Sequence, residues 1–252
     1  MEARALNPYQ ECSIFGEQLM SATAGPEVDQ DIRRGRIFWI PIAGVILYVL
    51  LDAVVQLLPP HYSPIRDAES DLAVGPYGYI MTINFLNRGV LSLVFLYGLL
   101  KTVGASGDHG APDARRRFRT GALGFGVWGV GAILLALFPT DVPSTPVSWH
   151  GGIHLVVAIL AFLGGSLGAL MLSLQFGGSR SLLGARSASL SIAVLSVIFL
   201  VILLGSAGTH VGGLTERVFL GSVLLWIAFV SAYLLRRGAA PGGRTAETAG
   251  PS

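Results

Sequence analysis

Six long apolar runs, separated by short polar segments, dominate the chain between residues 37 and 235. About 20 consecutive apolar residues are enough for a helix to cross the roughly 30 Å hydrocarbon layer of a bilayer. The pattern therefore predicts an all-α fold, a polytopic membrane bundle of six transmembrane helices. The predicted spans are residues 37–58, 77–100, 120–138, 151–176, 188–205 and 214–235.

The composition supports a membrane protein and excludes two other classes. Hydrophobic residues make up 52% of the 252 residues and charged residues 13%, whereas soluble domains carry about 25% charged residues. The one cysteine, Cys12, cannot form a disulfide within the chain. The basic residues are scattered over short loops instead of one face, so we expect no nucleic-acid partner.

The distribution of basic residues predicts the topology. Most of them lie in the segments 1–34, 102–119 and 177–186 and after residue 235. By the positive-inside rule both termini are then cytoplasmic. Only one of the 17 basic residues, Lys101, is lysine, a bias typical of GC-rich bacterial genomes, so we expect the inner (plasma) membrane of a bacterium. We expect residues 1–34 and 238–252 to be disordered cytoplasmic tails, flanking a membrane domain over residues 35–237.

The three loops expected to face outward are residues 59–76, 139–150 and 206–213. Within the first of them, the acids Asp67 and Glu69 are predicted to be solvated. Four aromatic residues near span ends are predicted to belong to the membrane interface: Tyr62, Tyr77, Tyr79 and Trp149.

Small residues predict where two spans pack closely. Gly164 and Gly168 in the fourth span form a small-xxx-small pair, and the third span is rich in glycine. Such residues let helix backbones approach each other in a membrane. We interpret them as helix contacts and not as a phosphate-binding loop.

Arg88 is the most costly side chain in the predicted membrane region, about 17 Å below the outer end of its span. Asp52 is its nearest partner by depth. Asn84 and Asn87 share the helical face of Arg88. Two interpretations stay open: a buried Asp52–Arg88 ion pair that locks two spans, or an outward cavity in which Arg88 anchors an anionic head group. Other acids within reach of Arg88 are Glu216, Asp71 and Asp141.

The loop before the fourth span carries a candidate metal site. His150 and His154 lie one helical turn apart and could bind zinc together with Asp141. Asp71, His210 or Glu216 are alternatives for this third ligand. The residues between the histidines are glycines, so the glutamate of a His-Glu-x-x-His motif is missing. The alternatives are that one histidine caps the span, or that a histidine–carboxylate pair acts as general acid/base or proton relay.

Short motifs along the chain resemble the prokaryotic membrane family catalogued as domain of unknown function 998. These motifs are Tyr62-Ser63-Pro64, Glu69-Ser70-Asp71-Leu72, Gly75-Pro76-Tyr77, Phe85-Leu86-Asn87-Arg88-Gly89, Phe138-Pro139-Thr140-Asp141, and Gly213-Leu214-Thr215-Glu216-Arg217 before Trp226. The resemblance covers residues 36–237 and implies a multi-span helical bundle without an established activity. It marks Ser70, Asp71, Asp141 and one of the two histidines as positions that match the family pattern.

A weaker similarity links the Ser/Asp/His set to the ceramidase-like membrane hydrolases, which use three histidines on zinc. That similarity implies a metal-dependent hydrolase, although the order of the motifs along the chain differs.

Three hypotheses for function follow, and whether the protein is an enzyme stays open. In the first, an outward pocket binds and processes a lipid or other amphiphile. Its substrate-binding residues would be Arg88, Asn84, Asn87, Asp52 and Glu216, and its catalytic residues Ser70, Asp71, Asp141 and His154. In the second, the protein is a small transporter or proton-coupled carrier, and the Asp52–Arg88 pair is its switch. In the third, the protein is a non-catalytic helper subunit. Membrane lipids are the expected partners, and no oligomeric state is predicted.

Overall fold

The computed structural model describes residues 35–59, 61–105, 112–143 and 145–239. The predicted disordered tails, 1–34 and almost all of 238–252, lie outside these ranges. Within them the chain is all-α, without a strand, and six helices are long and apolar enough to cross a membrane. The helices are α1 (Trp39–Val55), α2 (Gly78–Ala105), α3 (Pro112–Leu137), α4 (Trp149–Gln175), α5 (Arg186–Ser206) and α6 (Gly212–Ala239). The predicted all-α fold with six helices able to cross a membrane is confirmed.

The helices extend beyond the apolar runs at several ends. The apolar run predicts that the third span begins at residue 120, but α3 begins at Pro112 and carries Arg115–Arg117 on its first turns. Proline is favoured at the first helical position because its missing N–H has no partner there. Charged residues do not break a helix that leaves the hydrocarbon layer, so hydropathy marks only the part inside it.

Successive helices pack against each other, and α6 packs against α1 to close the bundle. Of the six spans, α6 is the most deeply buried. Its Trp226 lies at the centre, with ring centroids 5.3 Å from Phe95 and 5.1 Å from Phe125. Phe176 stacks on the same indole ring, with centroids 6.4 Å apart. These aromatic rings fill the middle of the bundle.

The α3–α4 contact depends on the predicted glycines. A Cβ atom on Gly164 would lie 2.5 Å from the carbonyl oxygen of Gly124, and one on Gly168 would lie 2.6 Å from the amide nitrogen of Phe125. Both obstacles are backbone atoms, which cannot rotate away. The small-xxx-small pair therefore brings the two backbones into direct contact, as predicted.

The two ends of the bundle have different roles. Gly35, just before α1, packs against Leu234 and Leu235 near the end of α6. We call this end the terminal face. The opposite end, the loop face, holds the connections α1–α2, α3–α4 and α5–α6. There the Leu214 amide donates a 2.9 Å hydrogen bond to the carbonyl oxygen of Ile65, which fastens the α1–α2 loop to the start of α6.

Candidate functional site

A group of polar and ionisable side chains lies between α1, α2, α6 and the α1–α2 loop, on the loop-face side of the aromatic core. We call it the loop-face cluster. Its members are Tyr48, Asp52, Gln56, Tyr62, Glu69, Arg88, Glu216 and Arg217.

Two polar stripes on the helices explain why these side chains meet. Tyr48 and Asp52 on the otherwise apolar α1, and Gln56 at its C-cap, follow one another at intervals of four. Asn84 and Arg88 do the same on α2. Residues four apart share one helical face, so each stripe turns toward the same interior region.

Arg88 is the deepest cation of the cluster, with only 1% of its surface exposed. Its guanidinium carbon lies 4.9 Å from the ring centroid of Trp128, 5.2 Å from that of Phe85 and 5.8 Å from that of Tyr48. Its Nη1 donates a 3.4 Å hydrogen bond to the Tyr48 hydroxyl, and its Nε has no hydrogen-bond partner. Aromatic faces thus stabilise the cation where a carboxylate would be expected.

Glu69 is equally buried, at 1% exposure, although it lies in the loop. A short 3-10 turn, Glu69–Ala73, carries it between α1 and α6. The Tyr48 hydroxyl donates a hydrogen bond to its carboxyl group. Burial, and then the nearby charge of Asp52, raise the pKa of Glu69 to about 8. Glu69 is therefore mostly protonated at neutral pH, and the prediction that it is solvated is wrong.

Asp52 pairs with Arg217 of α6 and not with Arg88. The Arg217 Nε and the Asp52 Oδ2 are 3.9 Å apart, and Gln56 donates a hydrogen bond to the same carboxylate. Among the described side chains, no carboxylate oxygen lies within 4.0 Å of the Arg88 guanidinium. The structure thus corrects the predicted Asp52–Arg88 pair, because depth along the membrane does not fix which helix face a partner occupies.

Arg217 also holds the α1–α2 loop in place. Its Nη1 donates hydrogen bonds to the carbonyl oxygens of Pro64 (3.0 Å) and Asp67 (3.2 Å), and its Nη2 donates to the Tyr62 hydroxyl. Tyr62 in turn donates to the carbonyl oxygen of Ala68 at 2.9 Å. Tyr62 therefore does more than anchor the interface, the role expected from sequence.

Asn84 and Asn87 join α2 to α1. The Asn84 Nδ2 donates to the carbonyl oxygen of Tyr48 at 3.1 Å, and the Asn87 Nδ2 donates to that of Gly44 at 2.9 Å. The Asn84 Oδ1 is buried without a partner. Both amide groups thus form interhelical hydrogen bonds, and the Asn84 Oδ1 remains a free acceptor beside the cluster.

Glu216 and Asp71 extend the cluster toward the 3-10 turn. The Glu216 Oε2 accepts a 2.9 Å hydrogen bond from the Glu69 amide, which caps that turn. Asp71 and its neighbour Ser70 are half-buried on the same turn. Burial raises the pKa of Asp71 above its usual value. Glu216, predicted to bind substrate, and Asp71, predicted to be catalytic, thus both lie close to Glu69.

Asp141 has a local structural role at the start of α4. Its carboxylate accepts hydrogen bonds from the Ser148 amide (2.9 Å) and the Ser148 hydroxyl (2.5 Å). The Ser148 hydroxyl accepts a 3.1 Å bond from the Gly151 amide, so Ser148 is the N-cap. The bonds from Ser148 lower the pKa of Asp141 below its usual value.

The two histidines point to different partners. The His154 Nδ1 donates a 2.8 Å hydrogen bond to the carbonyl oxygen of Phe138, which leaves Nε2 as the unprotonated nitrogen of the neutral ring. The His150 ring lies against Trp149, with centroids 3.4 Å apart. Over the described ranges, no three His, Cys, Asp or Glu side chains are grouped so that they could hold a metal ion. The predicted zinc set of His150, His154 and Asp141 does not fit a metal.

Exposure within the cluster falls from the loop face inward. The side chains of Asp52 and Arg217 are 16% and 15% exposed, whereas Glu69 and Arg88 are 1% exposed. Four buried polar atoms in or beside the cluster make no hydrogen bond: Asp52 Oδ1, Asn84 Oδ1, Arg88 Nε, and the Arg217 Nε that faces Asp52 in the ion pair. The cluster and Asn84 thus offer one free donor, the Arg88 Nε, and two free acceptors, Asp52 Oδ1 and Asn84 Oδ1.

Ser92, one helical turn after Arg88, and Trp128 form the inner edge of the cluster. The Ser92 hydroxyl donates to the carbonyl oxygen of Arg88 at 2.7 Å and accepts a 3.0 Å bond from the Trp128 indole. Beyond them lie the aromatic rings of Phe95 and Phe125. The cluster is therefore separated from the terminal face by the hydrophobic core.

The sequence contained signals for the residues that were missed. Tyr48, Asp52 and Gln56 recur every four residues along an otherwise apolar run, and this spacing indicates a polar face that points into the bundle. Burial of Glu69 had no comparable signal, because an acid in a loop with neighbouring acids has the pattern of a solvated segment.

Comparison with known proteins identifies the family but no characterised relative. The family model described as Protein of unknown function (DUF998) matches residues 42–233. No curated protein and no solved structure matches the sequence, so the similarity to the ceramidase-like hydrolases has no further support. The match reaches into all six helices and includes the whole loop-face cluster, and the chain belongs to the DUF998 family.

Proposed function

We propose that this integral membrane protein binds the polar head group of a lipid or related amphiphile in its loop-face cluster. The loop face would be the outer side of a bacterial plasma membrane, as the basic residues predict. The apolar tail of such a ligand can stay in the bilayer while the head group reaches the cluster between α1 and α6.

The observation that carries this proposal is the state of Arg88. It is a buried cation, surrounded by aromatic rings, without a carboxylate within 4.0 Å among the described residues and with a free Nε. A buried arginine in a membrane is costly unless it is paired or serves a function. An anionic group of a ligand would supply the missing partner.

The free atoms define the class of ligand. Arg88 has an unpartnered Nε, and Asp52 has an unpartnered carboxylate oxygen, Oδ1. A head group with an anionic oxygen and a nearby N–H or O–H donor complements this set, and phosphate–ethanolamine or phosphate–sugar groups have that chemistry. We propose no catalytic step, because Asp141 and His154 are committed to local hydrogen bonds.

The test is the lipid that remains bound after purification in mild detergent. Protein with Arg88→Lys keeps a positive charge but loses the guanidinium fork. We expect the wild type to retain about one amphiphile per chain by quantitative mass spectrometry of extracted lipids, and Arg88→Lys to lose most of it.

The matched control is Arg66→Lys, an exposed arginine on the same face that pairs with Asp67. It should retain the amphiphile as the wild type does. Equal retention by wild type and Arg88→Lys, in protein of the same secondary structure by circular dichroism, would contradict the proposal.

One observation favours a second function, a proton-coupled carrier. Glu69 is buried and its pKa is about 8, so it exchanges a proton near neutral pH. In a carrier, Glu69→Gln would abolish proton flux into protein-containing liposomes followed with a trapped pH dye. The aromatic core below Ser92 and Trp128 argues against this function, because a proton path toward the terminal face would have to cross it.

A further inference from the structure

A groove on the outside of the bundle lies away from the loop-face cluster. It is about 670 Å³ in volume and runs along α3, between α2 on one side and α4 on the other. Leu96 and Leu100 of α2 form one wall, and Val157 and Leu160 of α4 form the other. Apart from one arginine, its lining is apolar.

The floor of the groove is one face of α3. Arg119, Ala122, Gly126, Val130 and Leu134 follow at intervals of three or four residues. Such spacing places side chains on one stripe of a helix. From Arg119 to Leu134 the stripe is about 22 Å long at 1.5 Å per residue. This exceeds the roughly 15 Å thickness of one bilayer leaflet.

Arg119 closes the groove at its terminal-face end. It is exposed, and it makes no hydrogen bond or ion pair with any residue that the structure describes. Arg116 and Arg117 are exposed on the preceding turn. A free cation at the mouth of an apolar groove complements a molecule with an anionic head and one long apolar chain.

We infer that this groove binds one acyl chain of an anionic phospholipid, with the lipid phosphate on Arg119. The lipid belongs to the leaflet at the terminal face, where the chain enters beside Arg119 and extends toward Leu134. This site is separate from the loop-face cluster and does not depend on the function proposed for it.

The test compares two lipids that differ only in head-group charge. Native mass spectrometry of detergent-purified protein, titrated with dioleoyl phosphatidylglycerol or dioleoyl phosphatidylcholine, gives a dissociation constant for each. We expect phosphatidylglycerol to bind about fivefold more tightly, the effect of one favourable cation–phosphate contact near a membrane surface. Arg119→Ala should reduce its affinity to that of phosphatidylcholine.

A second variant tests the groove itself. A Cβ on Gly126 would meet only Leu96, at an ordinary 3.7 Å, so Gly126→Leu has room to fold and fills the groove. It should weaken binding of both lipids. Gly221→Leu is the matched control, because position 221 on α6 has no atom within 4 Å of its Cβ and lies outside the groove.

Two results would overturn the inference. One is equal affinity of the wild type for the two lipids, which would mean ordinary solvation of the surface by lipid. The other is unchanged selectivity in Arg119→Ala together with unchanged affinity in Gly126→Leu. Arg88→Lys should leave phosphatidylglycerol selectivity intact, which separates this groove from the loop-face cluster.

Discussion

Arg217 of α6 is the ion-pair partner of Asp52 of α1, with 3.9 Å between its Nε and the carboxylate Oδ2. The pair closes the bundle at the loop face, where the first and last helices meet. The same guanidinium holds the α1–α2 loop through the carbonyl oxygens of Pro64 and Asp67. One side chain thus connects two helices and the loop that covers Glu69.

This pairing predicts the outcome of two double-mutant cycles. Asp52→Asn combined with Arg217→Gln should show a coupling energy of about 0.5–1 kcal/mol, as expected for a partly exposed ion pair. Asp52→Asn combined with Arg88→Gln should show less than about 0.5 kcal/mol. Both are measured by unfolding in mixed detergent micelles. A larger coupling with Arg88 would restore the pair expected from sequence.

The pKa of Glu69 predicts how stability depends on pH. The folded protein holds this proton up to about pH 8, whereas an unfolded glutamate releases it near 4.5. Between these values the folded state binds more protons, so stability is highest at the acidic end and falls as pH rises toward 8. The thermal midpoint in detergent should therefore decrease from pH 5 to pH 8.

Glu69→Gln is the control for that profile. The amide keeps a hydrogen-bond acceptor for the Tyr48 hydroxyl but does not titrate. Its thermal midpoint should change much less over the same range, and at pH 8 it should exceed that of the wild type. Parallel profiles for the two proteins would show that Glu69 does not carry the pH dependence.

The cap of α4 predicts a local effect on stability. Ser148→Ala removes the acceptor for the Gly151 amide and one of the two donors to Asp141, and should cost about 1 kcal/mol. Thr145→Ala, an exposed hydroxyl in the same loop, should cost less. Chemical denaturation of both variants in detergent gives the comparison. Equal losses would mean that the cap contributes nothing particular.

The features that were predictable from sequence are those whose signal lies within a single helix. Hydropathy located the six spans, and small residues located the α3–α4 contact, because both signals are periodic within a single helix. Charged ends were missed: Pro112 and the arginines after it extend α3 although they lower its hydropathy.

The partners of the buried charges were not predictable in the same way. Depth placed Asp52 near Arg88, but the rotation of α6 about its axis brings Arg217 to Asp52 and leaves Arg88 among aromatic rings. Burial of Glu69 requires the loop to fold back between α1 and α6, a long-range contact. A single sequence carries no signal for such contacts.

The α3–α4 contact gives the sharpest test of the packing, because α4 offers the same substitution at two positions. A Cβ on Gly168 would lie 2.6 Å from the Phe125 amide nitrogen and 2.9 Å from the Gly121 carbonyl oxygen, so Gly168→Ala must separate the two backbones. Overpacking of this kind typically costs about 1–3 kcal/mol. A Cβ on Gly152 has no atom within 4 Å, so Gly152→Ala should be neutral or slightly stabilising through helix propensity. The two variants are compared by unfolding in mixed micelles, and a loss for Gly168→Ala no greater than for Gly152→Ala would mean that the helices do not touch there.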